Sequence, residues 1–216
     1  MATNSSSVLL AQRTKGKQIR KSHATRQTII ETTIQCLMKY GYHETTCIRI
    51  AKEAGISRGA MRYHFPARRD VIAAAIAHLH EKRLKAFHKA ASTTRLDQNR
   101  AEANLSALWR HVNHPMFMVF IELAVAARRD RDLAAILYPA RETFRRECYY
   151  VALDLFPEWM GRRNELRTAM DLSQYMMEGM MLDNVSADGE RARHLLDSLA
   201  RELHMLRGSE LPKDLR

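Results

Sequence analysis

Residues that interrupt helices are scarce. Five Pro and eight Gly stand in 216 residues against abundant Ala, Leu, Met, Arg and Glu, so helix is favoured along nearly the whole chain. No run of alternating β-branched and aromatic residues reads as a sheet. The three cysteines, Cys36, Cys47 and Cys148, are odd in number and form no C-x-x-C pair, which excludes a disulfide framework and fits a reducing compartment. No apolar run nears the roughly 18 residues of a membrane span, and the run over 8–11 is too short for a secretory signal. A cytoplasmic location without a membrane partner is expected. No Ser/His/Asp, paired-carboxylate or phosphate-loop pattern is visible, so neither an enzyme nor a cofactor is expected. His111 and His114 share a helical face, but no third ligand accompanies them and no metal is expected.

What is present is positive charge, unevenly placed. The formal net charge is +11, and residues 1–70 hold thirteen Lys/Arg against four Asp/Glu. A basic amino-terminal third on a nearly neutral remainder suggests a polyanion-binding head on a body with another task. Residues 1–21 are Ser-rich and then basic, without periodicity, and read as a flexible arm. Its Lys15, Lys17, Arg20 and Lys21 either touch DNA or belong to a plain tail.

Apolar spacing predicts a helix over 24–40 that ends at Gly41. Thr45 or Thr46 caps a second, short helix closed by Gly55, and Ser57 caps a third through His64. Pro66 suits the first turn of a fourth running past Phe87. Further helices are expected over 100–112, from Pro115 to 129, from Pro139 to 156, over 162–184 and over 190–207. The chain reads as all-α with about nine helices.

The stretch ISRGAMRYHF, residues 56–65, combines features that a core helix would not need. Residues four apart share a face, so Met61 and Phe65 point inward. Arg58 with Arg62, and Gly59 with Tyr63, occupy the opposite side. Guanidinium groups pair bidentately with guanine edges or phosphate, Tyr63 packs on sugar or a thymine methyl, and Gly59 lets the backbone approach closely. A short helix, a glycine turn and a second short helix with such a face is a helix-turn-helix arrangement. The plainer reading is a helical hairpin with a solvated basic face.

The segment TTCIRIAKEAGISRGAMRYHFPARRDVIAAAI, residues 45–76, strongly resembles the DNA-binding domain of the TetR family of bacterial transcriptional regulators. The match covers about 24–76, including Gly41, Ile50, Ala51, Ala54, Gly55, Ile56, Ser57, Gly59, Phe65, Arg68 and Arg69. The resemblance implies a helix-turn-helix domain over 22–68 and a ligand-binding and dimerisation domain over 69–216. It implies that Arg58, Gly59, Ala60, Arg62, Tyr63 and His64 face DNA. Thr46 and Arg49 would stand at the start of the crossing helix, and Arg68 on phosphate. This chain departs from the family in placing Arg62 where a phosphate-contacting tyrosine is usual, with Tyr63 one position later.

The family usually pairs through its last two helices and holds a small ligand among the middle ones. Leu196, Leu199, Leu203 and Leu206 form a narrow apolar stripe, and the preceding helix adds Leu166, Met170, Ser173, Met177 and Met180, as a dimer seam would. PMFMVFIELAVAA, residues 115–127, is apolar almost all round and is expected to be deeply buried. Trp109, Phe117, Phe120, Met176, Met177 and Met180 are candidates for lining a tolerant pocket, the plainer alternative being that they fill core. Glu122 is either a polar anchor there or the partner of Arg128 or Arg145. The expected function is a homodimeric, ligand-responsive repressor on a palindromic operator, released by a small apolar, aromatic or lipid-like effector. Activation, or DNA binding without a ligand, is the alternative.

Overall fold

The computed structural model describes residues 4–93, 105–106, 108–110, 112–186 and 189–208, with backbone alone for 4–15, 90–91 and 93. Among these residues the regular structure is entirely helical. Two compact units divide the chain, the first ending at Ala75 and the second beginning at Ile76.

In the first unit, α1 spans Asn4–Glu44 and leaves helical geometry at Gly41, whose φ of 72° needs no Cβ. The buried Thr45 hydroxyl donates to the Gly41 carbonyl at 2.7 Å. Helical backbone begins at Asn4, twenty residues before the expected start. The stretch read as an arm has no apolar periodicity, and Ile19 within it is exposed, yet it contains no proline to stop the helix.

Helix α2, Cys47–Glu53, packs on α1, and α3, Arg58–His64, packs on α2. Thr46 caps α2 by accepting from the Arg49 amide at 3.2 Å, and Ser57 caps α3 by accepting from the Ala60 amide at 3.1 Å. Between them, Ile56 N–H donates to Ala51 and Gly55 N–H to Lys52, with Gly55 at φ 65°. This is a Schellman ending, in which the left-handed glycine reverses the chain within three residues. Helix α4 runs Arg68–Thr93, and the Asp70 carboxylate accepts from the Ala67 amide at 3.0 Å. Pro66 thus lies just outside α4 and not within its first turn.

In the second unit, helical backbone at 105–106, 108–110 and 112 is what is described of the helix expected over 100–112. His111 lies outside the described residues. Helix α5, Pro115–Ala127, packs on α6, Arg131–Leu155, and on α7, Arg163–Leu182; α7 packs on α8, Glu190–Arg207. Among the described residues no helix is long and apolar enough to cross a membrane.

Pro139 sits inside α6 and does not start it; the start is Asp130, whose carboxylate accepts from the Leu133 amide at 2.9 Å. A buried stripe of Leu133, Leu137, Phe144, Cys148 and Ala152 runs past the proline. Its burial outweighs the one backbone hydrogen bond that the ring removes. Helix α5 is not buried all round either, since Glu122 and Val125 are exposed. One core cluster gathers Trp109, Phe117, Met177, Met180, Leu196, Leu199 and Ala200. A second gathers Ala152, Trp159, Leu166 and Ala169, with Phe87, Met170, Leu203 and Leu206 packed against it.

Candidate functional site

Helix α3 divides sharply by face. Met61 and Phe65 are buried, whereas Arg58, Gly59, Arg62 and Tyr63 are exposed and Ala60 and His64 half-buried. Tyr63 is 78% exposed, more than any other large apolar side chain among the described residues. Its ring meets His64 edge-on at 5.1 Å. Among the described residues neither Arg58 nor Arg62 pairs with a carboxylate. Two uncommitted guanidinium groups, a bare backbone position and a phenol share one convex ridge.

The flanking candidates are differently employed. Thr46 is exposed, with its hydroxyl oxygen engaged as the α2 cap. Arg49 pairs with Glu44 at 3.0 Å and lies over the Tyr40 ring at 4.6 Å. Tyr40 in turn donates to Glu53 at 2.8 Å. Arg68, expected on phosphate, is turned inward: Nε donates to the Thr45 carbonyl at 2.9 Å, a terminal nitrogen to the Tyr42 carbonyl, and the plane covers the Tyr42 ring at 4.1 Å. The reason is local. The break at Gly41 leaves the Tyr42 carbonyl with only a long 3.3 Å bond from the Thr45 amide, and the Arg68 fork supplies a further donor there and one to the Thr45 carbonyl. Arg68→Ala is expected to destabilise the first unit by about 1–3 kcal/mol, read by thermal melting, because the Thr45 carbonyl loses its guanidinium donor and the Tyr42 carbonyl keeps only the Thr45 amide.

The second unit holds a cavity of about 510 Å³. Its wall includes Arg83 and Phe87 from α4, Phe117 from α5, Phe144, Cys148 and Tyr149 from α6, Leu166 and Met170 from α7, Leu203 from α8, and Trp159. Of the expected lining residues Phe117 alone is there. Trp109, Met177 and Met180 are core, with Met176 packed against them. Phe120 is buried beneath Arg83, and Glu122 faces outward on α5 with its carboxyl pK raised by partial burial.

Sequence reasoning missed the cavity's charged groups. The Arg83 guanidinium lies 5.3 Å from the Phe117 ring centre, 4.5 Å from Phe120 and 4.4 Å from Phe144. Burial brings its pKa down from 12.5 to about 10, with the Glu178 and Cys148 charges opposing the fall and Arg141 adding to it. His80, one turn earlier, is stacked between Phe120 at 4.7 Å and Phe144 at 5.0 Å. Burial, then Arg83 and Arg141, lowers its pKa from 6.5 to about 4, so it is neutral near pH 7. The available signal was the spacing His80, Arg83, Phe87, which places all three on one helical face. Burial pushes the Cys148 thiol up to about 12, which makes it an inert core thiol.

The expected seam residues are largely internal. Leu196 and Leu199 belong to the core, Leu166 and Met170 line the cavity, and Leu203 and Leu206 pack against the second cluster. Helix α7 instead exposes Leu172, Tyr175 and Leu182 at a 3-7 spacing, with exposed Gly179 between the last two.

Residues 29–75, which hold α2, α3 and the Gly55 turn, match the family described as bacterial regulatory proteins, tetR family. Residues 29–75 are a domain of this family. An uncharacterised HTH-type transcriptional regulator of Mycobacterium tuberculosis is 28% identical over 120 residues, which is 56% of this chain and 62% of that relative. The chain thus spans less than two thirds of that relative's length. The HTH-type transcriptional regulator SrpR of Pseudomonas putida is 33% identical over 61 residues, 28% of this chain and 29% of SrpR. Among solved structures, the multidrug binding protein EbrR complexed with imidazole superposes with a TM-score of 0.61 at 22% identity, covering 81% of this chain and 93% of EbrR. A tetR-family regulator from Streptomyces coelicolor gives 0.63 at 15% identity, covering 86% and 83%. These two share the tetR fold, including the helices beyond residue 75 that the family match does not reach.

Proposed function

We propose that this tetR-family chain is a dimeric repressor of transcription that holds operator DNA on α3 and lets go when a small molecule fills the second unit's cavity. The observation that carries the proposal is the outward ridge of α3. Among the described residues Arg58 and Arg62 pair with no carboxylate and the exposed Tyr63 ring meets only its neighbour His64, and the three match the donors and the flat apolar surface that a major groove accepts. Arg62 takes a base edge or a phosphate from the place where the family's tyrosine stands. The inward Arg68 leaves backbone contact to its exposed neighbour Arg69 and to the α2 cap.

The test is a gel shift on DNA selected from a random pool by the protein itself. Arg58→Ala and Arg62→Ala should each weaken the selected sequence by about 1–3 kcal/mol and relax its consensus at the contacted position. Unchanged binding by Arg58→Ala, Arg62→Ala and Tyr63→Ala would remove α3 from the groove.

The second copy is assigned to α7. Leu172, Tyr175 and Leu182 form a solvent-facing stripe, and Gly179 lets another backbone approach its middle, as a twofold contact of like surfaces requires. Tyr175→Glu should convert a dimer to monomer in sedimentation and lower operator affinity at least about tenfold, since one head then binds alone. Helix α4 begins with residues of the first unit and supplies Arg83 and Phe87 to the cavity wall, so it carries the signal. A coupling of about 1–3 kcal/mol is enough for regulation.

A further inference from the structure

We infer that the molecule held in the cavity is an amphipathic anion, an organic carboxylate on an apolar ring or chain, with its charged group on Arg83 and a second oxygen on the Tyr149 hydroxyl. The inference rests on the reading of the cavity as an effector site and names the effector's chemistry.

Four carboxylates stand on the cavity wall, and each already has an arginine. Asp171 accepts from Arg145 at 3.0 Å and 3.2 Å, and Glu142 lies 3.7 Å from the same guanidinium. Glu158 pairs with Arg207 at 3.9 Å. Glu178 pairs with Arg141 at 3.7 Å and accepts from Gln174 at 2.8 Å. Three wall arginines, Arg83, Arg146 and Arg167, have no carboxylate within ion-pairing distance among the described residues. Arg146 and Arg167 are exposed, with Arg167 over the Tyr149 ring at 5.0 Å. Arg83 is instead turned among the phenyl rings and feels the Glu178 charge only at longer range. The faces of Phe117, Phe120 and Phe144 offset part of its desolvation, but rings hold a cation less firmly than a carboxylate does.

A poorly solvated guanidinium with no carboxylate in contact, Glu178 being engaged with Arg141 and acting on it only at a distance, is an incomplete ion pair at the edge of an apolar space. The depressed Arg83 pKa agrees with that incompleteness. Tyr149 adds an independent sign, because its hydroxyl oxygen is buried, lacks any hydrogen-bond partner and stands on the same wall. The remaining surface, from Phe87, Leu166, Met170 and Leu203, suits the apolar part. A cation would meet no free carboxylate there, and a neutral molecule would leave Arg83 unpaired.

The experiment titrates the full chain at neutral pH with decanoate, decanol and decyltrimethylammonium and follows tryptophan fluorescence, since Trp159 lines the cavity. Decanoate should bind at least about tenfold more tightly than either other probe, the increment expected of a charge-assisted pair. Arg83→Gln should erase that preference and leave decanol unchanged, while Arg83→Lys keeps part of it. Equal affinities, preference for the cation, no binding of any probe, or an Arg83→Gln variant with undiminished decanoate affinity would each overturn the inference. Should Arg83→Gln fail to fold, the ranking of the three probes on the native chain decides alone. No DNA is present, so the outcomes separate. Anion binding without operator binding would sink the regulatory reading only. Operator binding with cation preference would sink this inference only.

Discussion

Alanine at Phe65 is expected to destabilise the first unit by about 3–5 kcal/mol, the range for removing a buried phenyl ring. Phe65 is 2% exposed and follows the last residue of α3 in extended backbone, so it pins the end of that helix to the core. The Arg26 guanidinium lies over its ring at 4.9 Å and would lose that surface as well. A small domain has about 5–15 kcal/mol in total, so such a loss leaves α3 only marginally ordered. Calorimetric melting should register it directly. Gel shift on the selected operator should show lost retention although no residue of the outer ridge has changed. Phe65→Leu, which keeps most of the volume, should cost less than about 1.5 kcal/mol and retain binding. If alanine at this position melts like the native chain, the core of the head has been misplaced.

Acid should weaken the second unit through His80. Its pKa falls from 6.5 to about 4 on folding, because burial and the neighbouring Arg83 and Arg141 oppose protonation. Between those values the unfolded chain binds the proton and the folded chain does not. Stability is therefore full above pH 6.5 and declines as pH falls toward 4, by about 3 kcal/mol over the window for this one group. Urea midpoints measured across the window would follow the decline. Carboxylates contribute near its lower end, so the decisive quantity is the difference from His80→Phe. That variant keeps a flat ring between Phe120 and Phe144 and should lose less stability with acid. Parallel curves for the two proteins would show that His80 is not the group responsible.

The head was legible because its signals are local. Thr46, Gly55 and Ser57 act within three or four residues of themselves, and a cap or a left-handed glycine needs no knowledge of the rest of the chain. The outward ridge of α3 followed from residue spacing alone. The body was less legible because an apolar stripe announces that it will be covered without saying by what. Leu196 and Leu199 were read as a seam between copies, and the chain's own Trp109 cluster covers them. Met177 and Met180 were read as a pocket wall and are interior to the same cluster. Glu122 drew attention by interrupting an apolar run, yet it marks the outer edge of α5. Arg83 drew none, since an arginine on a helix is ordinarily solvated, and only the meeting of α4, α5 and α6 brings three rings around it. Pro139 was overvalued as a boundary because its penalty is fixed, while the burial opposing it depends on a partner helix.

The near-parallel arrangement of Phe120, His80 and Phe144 has a magnetic consequence. A ring placed between two phenyl faces, at interplanar angles of 4° and 18°, lies in the shielding region of both. Its carbon-bound protons should therefore resonate upfield of those of the nine other histidines, making this imidazole a built-in reporter in a one-dimensional spectrum. Any molecule that settles against Arg83 and tilts either phenyl plane would move those lines, and the shift would give occupancy without a label.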